Sequence, residues 1–355
     1  MQIVSVGTAF PPHYYSQEEL LAEFRDLWSG QLFNPDRLEQ LHQNVLVGGR
    51  HLALPMEEYR DLDTFGASND AWIRVGEELG ERAVREALER CGRRLDDVDA
   101  LFFVSVTGIS TPSLDARLMN RLGLRPSVRR TPIFGLGCVA GAAGIARAAD
   151  YLRAYPEDLA VLVSVELCSL TLQREDFSVA NLISSGLFGD GAAAVVLVGD
   201  DGAASSATDG DGPTVLASKS IFYPDTERVM GWDISERGFQ VVLSATVPDM
   251  VRDHLRHDVD TFLAEQGTSR SEIGSWVAHP GGPRVLEAMV AALEVDEEAL
   301  APTWRSLREV GNLSSTSVLL VLRDTMESHR PPSGSLGVLL AMGPGFCSEL
   351  VLLRW

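Results

Sequence analysis

The chain has 355 residues, 45% of them hydrophobic and 23% charged, which describes one large or two coupled globular domains with ample core. Its formal net charge of −20 argues against a general nucleic-acid or membrane-surface binder, so an anionic ligand needs a local basic patch or helix N-termini. Four scattered cysteines (Cys91, Cys138, Cys168, Cys347) with no CxxC pair exclude a disulfide framework and a structural zinc site, and no metal is expected. The opening MQIVSVGTAFPP lacks a basic region before a long apolar core, and no apolar run reaches membrane-spanning length. A cytoplasmic protein without stable membrane insertion is expected.

In chain order, residues 2–10 read as a buried strand ended by Pro11-Pro12. Ser16 with Glu19 three residues on forms a capping box that opens an amphipathic helix toward Trp28. Residues 31–65 read as irregular and hold Arg37 and Arg50. A long helix follows over 69–91, stopped at Gly92, then a turn and the apolar strand LFFVSV. A helix entered through Thr111-Pro112 precedes the stretch FGLGCVAGAAG at 134–144. There the short apolar run TPIF gives way to a helix of small residues, with Cys138 at the junction. A thiol at that place meets the free N–H groups and positive end of the helix, a field that favours thiolate. Two buried strands, DLAVLVSVEL and GAAAVVLV, complete this part. Residues 201–213 are small, acidic and glycine-rich, which fits a surface linker between halves or an exposed hairpin loop. Buried strands alternating with helices place the chain in the α/β class.

The second part echoes the first. ALERCGRRLDDVDALFFVSVTG and FLAEQGTSRSEIGSWVAHPGG share the order helix, glycine, polar turn, strand, glycine. GLGCVAGAAGIARAADYLR and VGNLSSTSVLLVLRDTME share a glycine turn leading to a helix rich in small residues. This matching order suggests duplication, with halves at 1–205 and 206–355. Cys138, His279 in AHPGG and Asn312 in VGNLSS then stand at strand or helix ends that converge between the halves. Together they suit one chemistry. A cysteine takes an acyl group from a thioester, a histidine supports its thiolate, and histidine and asparagine N–H groups receive a developing enolate oxyanion.

GLGCVAGAAG, LFGDGAAAVV, AHPGGPRVLE, REVGNLSSTSV and GPGFCSEL, in this order and across the whole chain, resemble the type III polyketide synthases, the chalcone-synthase-like family. The resemblance implies a thiolase-like αβαβα five-layer fold, a homodimer, and direct use of acyl-CoA and malonyl-CoA, which are substrates, with no further cofactor. It implies Cys138 as acyl carrier, His279 with Asn312 as the decarboxylation and oxyanion pair, and Phe188 between the coenzyme A tunnel and the cavity. For coenzyme A it points to Arg37, Arg50 and Gly281, with Gln40 and Asn44 at two positions that are basic in plant relatives. Cys168, Thr171 and Ser314 match pocket-lining positions. Val241 stands for a second gatekeeping phenylalanine, and Trp232 for a glycine, which shortens the elongation cavity. Thr111 lies in the segment that reaches the partner's cavity. GGRHLALP and MGWDISERGFQVVLS look like those of synthases that take long fatty acyl starters, so an alkylpyrone or alkylresorcinol product is expected; a short or malonyl starter is the alternative. An initiating β-ketoacyl carrier-protein synthase shares the three residues but carries Gln-Ala-Asn after its histidine, where Pro-Gly-Gly stands here.

Overall fold

A computed structural model describes residues 1–31, 35–203 and 212–355. The first half contributes strands β1 (Gln2–Ala9), β2 (His13–Ser16), β3 (Gly49–Leu52), β4 (Ala100–Ser105), β5 (Arg129–Phe134), β6 (Leu159–Leu167) and β7 (Asp190–Val198). Its helices are α1 (Gln17–Leu27), α2 (Pro35–Asn44), α3 (Phe65–Arg90), α4 (Leu114–Leu122), α5 (Ala140–Ala154), α6 (Val179–Leu187) and the single turn α7 (Asp200–Ala203). The second half contributes β8 (Thr214–Phe222), β9 (Met230–Ser235), β10 (Gly238–Leu243), β11 (Ile273–Ala278), β12 (Leu336–Gly343) and β13 (Cys347–Arg354). Its helices are α8 (Val247–Glu265), α9 (Pro283–Leu293), α10 (Ala301–Val310) and α11 (Ser317–Ser328).

The large sheet runs β11-β12-β13-β8-β1-β7-β6-β4-β5, and its two parts are built alike. β4 pairs parallel with β6 as β11 does with β12; β7 and β13 are the antiparallel returns; β1 and β8 follow them antiparallel. The parts join through the single register pair Gln2↔Thr214. Three apolar clusters show five layers. One packs α3 and α4 on the outer face of the first part, and one packs α8, α9 and α10 on the outer face of the second. Between them α5 and α11 fill the space between the sheet parts. The fold is thus α/β of the thiolase-like αβαβα kind. The small residues of α5 are what let the central layer close: a methyl on Gly141 would collide with the Ser315 carbonyl of the facing loop.

One sequence expectation changes. Residues 31–65 are not irregular throughout, because α2 and strand β3, which pairs antiparallel with β2, form there. The apolar run TPIF belongs to the edge strand β5, and Phe134 is 52% exposed. The capping box at Ser16 and Glu19 forms as read. The boundary at 205/206 and most of the 201–213 stretch lie outside the described residues.

Candidate active site

The turn that carries Cys138 is set by glycine. Gly137 adopts φ +55°, and a Cβ there would sit 2.7 Å from Pro344 Cγ, so both backbone and space require glycine. A 3-10 turn at Gly137–Val139 then hands Cys138 to the start of α5. From the second half, His279 ends β11 with its amide bonded to the Leu340 carbonyl. Asn312 follows α10 and is locked to the first half: its amide donates to Leu187 O (2.9 Å), and its carbonyl accepts from Gly189 N–H (3.0 Å). Its Oδ1 accepts from Ser314 N–H at 2.8 Å, which holds Ser314 at φ +48°, an unusual conformation for a residue with a side chain.

These elements bring Cys138, His279, Asn312, Ser314, Gly281 and Phe188 to one chamber of about 760 Å³ including its mouth. Cys138, His279 and Asn312 are all buried. Ser314 Oγ lies 3.8 Å from Cys138 Sγ. Asn312 Nδ2 makes one long bond, 3.4 Å to Gly281 O, which leaves its other N–H available. Among the described residues, neither ring nitrogen of His279 has a partner, although only 3% of the residue is exposed. A buried unpaired imidazole is costly unless something else meets it, so this ring is poised for a ligand atom.

Desolvation dominates the electrostatics. Burial pushes the Cys138 thiol up to about 12, against the pull of the Ser314 hydroxyl, and buried Glu166 pushes the same way. Burial lowers His279 to about 3. α5 begins just beyond this cysteine, and burial works against the thiolate that the helix end favours. Both shifts favour the uncharged forms, a thiol and an imidazole.

A second chamber, about 820 Å³ with its mouth, adjoins the first through Cys168, Phe188, Trp232 and Val241, which line both. Trp232 and Val241 are direct cross-strand partners on β9 and β10. Thr171 lines only this second chamber, and its hydroxyl is spent on Cys168 O at 2.7 Å. Leu20, Phe24 and Leu27 of α1 form its outer wall, which gives this helix a role the sequence did not reveal. Thr111 is exposed and lines neither chamber of its own chain.

Arg50 lines the second chamber but is 1% exposed, and its guanidinium donates to Gln17 Oε1 (2.6 Å), Gly186 O (2.7 Å) and Ser185 O. It ties β3 to α1 and to the end of α6. Arg37 is exposed on α2 and lines neither chamber. Sequence reading also passed over Glu166. Its carboxylate accepts from Val106 N–H (3.1 Å), Thr107 Oγ1 (2.9 Å) and Ser315 Oγ, linking loops of the two halves behind Cys138. A lone acid inside the apolar run of β6 was the available signal.

Comparison with known proteins decides the family. The description "Chalcone and stilbene synthases, N-terminal domain" matches residues 1–202, and "Chalcone and stilbene synthases, C-terminal domain" matches residues 214–355. The chain belongs to the chalcone and stilbene synthase family. This type III polyketide synthase is 52% identical to a 1,3,6,8-tetrahydroxynaphthalene synthase of Streptomyces peucetius subsp. caesius, over 99% of this chain and 93% of that one. It is 37% identical to a putative chalcone synthase of Bacillus subtilis, over 99% and 98%. The solved tetrahydroxynaphthalene synthase of Streptomyces coelicolor A3(2), described as a bacterial type III polyketide synthase, superposes with a TM-score of 0.93 at 32% identity, covering 100% of this chain and 99% of that one. The synthase is an acyltransferase whose family chemistry is decarboxylative condensation. Among the described residues, no helix is long and apolar enough to cross a membrane.

Proposed function

We propose that the synthase condenses malonyl-CoA units iteratively on Cys138, with malonyl-CoA also serving as starter, and releases a polyhydroxylated aromatic product. The observation that carries the condensing chemistry is the shared chamber of Cys138, His279 and Asn312. The Cys138 sulfur attacks the starter carbonyl as its proton passes to His279, and coenzyme A leaves as the thiol. The next malonyl thioester loses CO2; the electron pair of the broken carbon–carbon bond becomes an enolate whose oxygen receives N–H groups of His279 and Asn312. The enolate carbon attacks the Cys138 thioester, a carbon–carbon bond forms, and the carbon–sulfur bond breaks to return the sulfur. Ring closure of the lengthened chain follows.

The starter rests on the relatives. A naphthalene with hydroxyls on alternate carbons is what a chain of malonyl-derived two-carbon units becomes, and two compared synthases carry that product in their names. A long fatty acyl starter is the second reading, favoured by one observation: Leu20, Phe24, Leu27, Leu52 and Leu172 line the adjoining chamber, a wall suited to an alkyl chain. Labelled malonyl-CoA alone should release CO2 and yield an aromatic product, and adding long-chain acyl-CoA should not redirect most of the label. Alkylpyrones that outpace the malonyl-only product would establish the second reading; no CO2 release with either would overturn both.

A homodimer is part of this reading. β5 is a sheet edge on which Phe134 is exposed, and Ile109, close in sequence to Thr111, is exposed as well. Light scattering should give twice the chain mass; a monomer at micromolar concentration would remove the dimer.

A further inference from the structure

Resting on that reading, we infer that the Ser184 hydroxyl and the Nε–H of Arg50 hold a carbonyl oxygen of the growing poly-β-keto chain. The second chamber is then a specificity-determining site for an oxygenated chain. The two chambers meet at Cys168, Phe188, Trp232 and Val241, so a chain lengthening on Cys138 enters the second as it outgrows the first. The aliphatic residues of that wall accept any hydrocarbon, so discrimination falls to its polar groups.

Five hydroxyls line that chamber, those of Tyr59, Ser169, Thr171, Ser184 and Ser185. Four of them are spent within the protein. Tyr59 and Ser169 bond each other, and Ser169 also donates to Asp190. Thr171 donates to Cys168 O at 2.7 Å, and Ser185 to Leu182 O at 2.9 Å. Ser184 Oγ is buried and has no partner among the described residues. A serine inside a helix can return its hydroxyl to a carbonyl of the preceding turn, as Ser185 does; Ser184, also on α6, does not. A buried hydroxyl left unmet is costly, which points to an atom from outside the chain. A second orphan lines the same chamber. Arg50 donates through its terminal nitrogens to Gln17 Oε1 and to the carbonyls of Ser185 and Gly186, next in sequence to Ser184, while its Nε has no partner among the described residues. None of those acceptors carries a charge. Asp190 acts on Arg50 electrostatically but is bonded to Ser169 and Ala53. Burial lowers Arg50 to about 10, so it keeps its proton at neutral pH. Of the other ionisable groups around it, Arg60 is paired with Glu23 and Arg174 with Asp63; burial lowers His42 and raises the Tyr59 hydroxyl and the Cys168 thiol. A buried cation bonded only to neutral oxygens favours a ligand oxygen of negative character. A β-diketone supplies one: when the methylene between its carbonyls gives its proton to solvent, the electron pair spreads over both oxygens. An alkyl chain supplies none and leaves Ser184 and Arg50 unmet.

The test uses the whole chain with Ser184→Ala and Ser184→Thr, which remove and restore the hydroxyl. With labelled malonyl-CoA, Ser184→Ala should lower the ratio of full-length aromatic product to shorter pyrones about fivefold, the loss expected for one hydrogen bond. Ser184→Thr should recover most of it. In the Cys138→Ala protein, which forms no product, 2,4-nonanedione probes the chamber and butylbenzene is the apolar control. Calorimetry should show that adding Ser184→Ala weakens the diketone about fivefold and butylbenzene not at all. An equal loss of both, or no binding of the diketone before Ser184 is changed, would overturn the inference. Arg50 is tested without replacing it, since it ties three elements together. Burial alone raises the pH at which a diketone loses its methylene proton, whereas an adjacent cation lowers it. The near-ultraviolet enolate band of the bound diketone should therefore appear at lower pH than that of the free diketone; appearance at higher pH would overturn the part given to Arg50. Aromatic product from malonyl-CoA, with product ratio and diketone affinity both unmoved in Ser184→Ala, would leave the proposed reaction standing and sink this inference. Ser184-dependent diketone binding in a protein that releases no CO2 would do the reverse.

Discussion

In the first half Gly137 takes φ +55°, a 3-10 turn covers Gly137–Val139, and α5 starts at Ala140; in the second half Ser314 takes φ +48°, a 3-10 turn covers Ser314–Thr316, and α11 starts at Ser317. The backbone device is the same, but its cargo differs. The first turn presents the sulfur. The second presents no nucleophile in that role; instead Asn312 stands just before it and fastens it through Oδ1. The loops after the parallel strands differ in the same way. After β4, Thr107 is consumed by Glu166, whereas after β11 His279 keeps both ring nitrogens unpaired. The two halves thus supply matching frames, and the proposed chemistry divides between them, the acyl group on one half and the developing charge on the other.

That division can be broken at either frame. The largest effect is expected at Asn312: replacing it with Ala removes one oxyanion donor and should lower CO2 release about 10²–10³-fold, measured with labelled malonyl-CoA. Cys138→Ala should abolish product while leaving slow decarboxylation, because the receiving half remains intact; equal loss of both activities would show that the halves do not divide the work. Next is Gly137→Ala, which must accept both a left-handed conformation and a Cβ 2.7 Å from Pro344 Cγ. It should cost about 2–3 kcal/mol in chemical denaturation.

A pH experiment sharpens the contrast between unpaired and consumed groups. The His279 pKa falls from 6.5 to about 3 on folding, so below pH 6.5 the unfolded chain binds a proton that the native chain refuses. Stability linked to this ring is full above pH 6.5 and declines as pH drops toward 3. Between pH 6.5 and 5 that decline is about 2 kcal/mol, and His279→Gln should remove it. His42, also lowered to about 3, contributes the same sign, and Asp190, raised to about 6, the opposite; both are unchanged in that variant, so the difference isolates His279. An identical pH slope in parent and variant would refute the neutral buried imidazole. The smallest effect is expected for Ser314→Gly, which relieves a left-handed serine but removes the hydroxyl near Cys138. Stability should stay within about 1 kcal/mol while turnover falls.

Much of this was readable beforehand, for a physical reason. A left-handed turn against a neighbour demands glycine, a tight interlayer contact demands small side chains, and a buried sheet demands apolar runs. GLGCVAGAAG, the matching helix–turn–strand order and the Ser16 cap therefore announced the frame, the like build of the two sheet parts and the positions of Cys138, His279 and Asn312. Such demands are local, so the amino-acid sequence by itself determines them. Only the tertiary structure decided which forces win where segments meet. Arg50, which the resemblance pointed to for coenzyme A, is buried where Ser185 and Gly186 offer it carbonyl oxygens from a distant helix end. Cys138 was read as a site that favours thiolate, and burial from all sides works against that charge. TPIF, an apolar run in the sequence, lies on the edge strand β5 with Phe134 exposed, since its pattern is the same whichever neighbour lies beside it. Solvent exclusion depends on what packs around a group, and those packing partners come from remote parts of the chain.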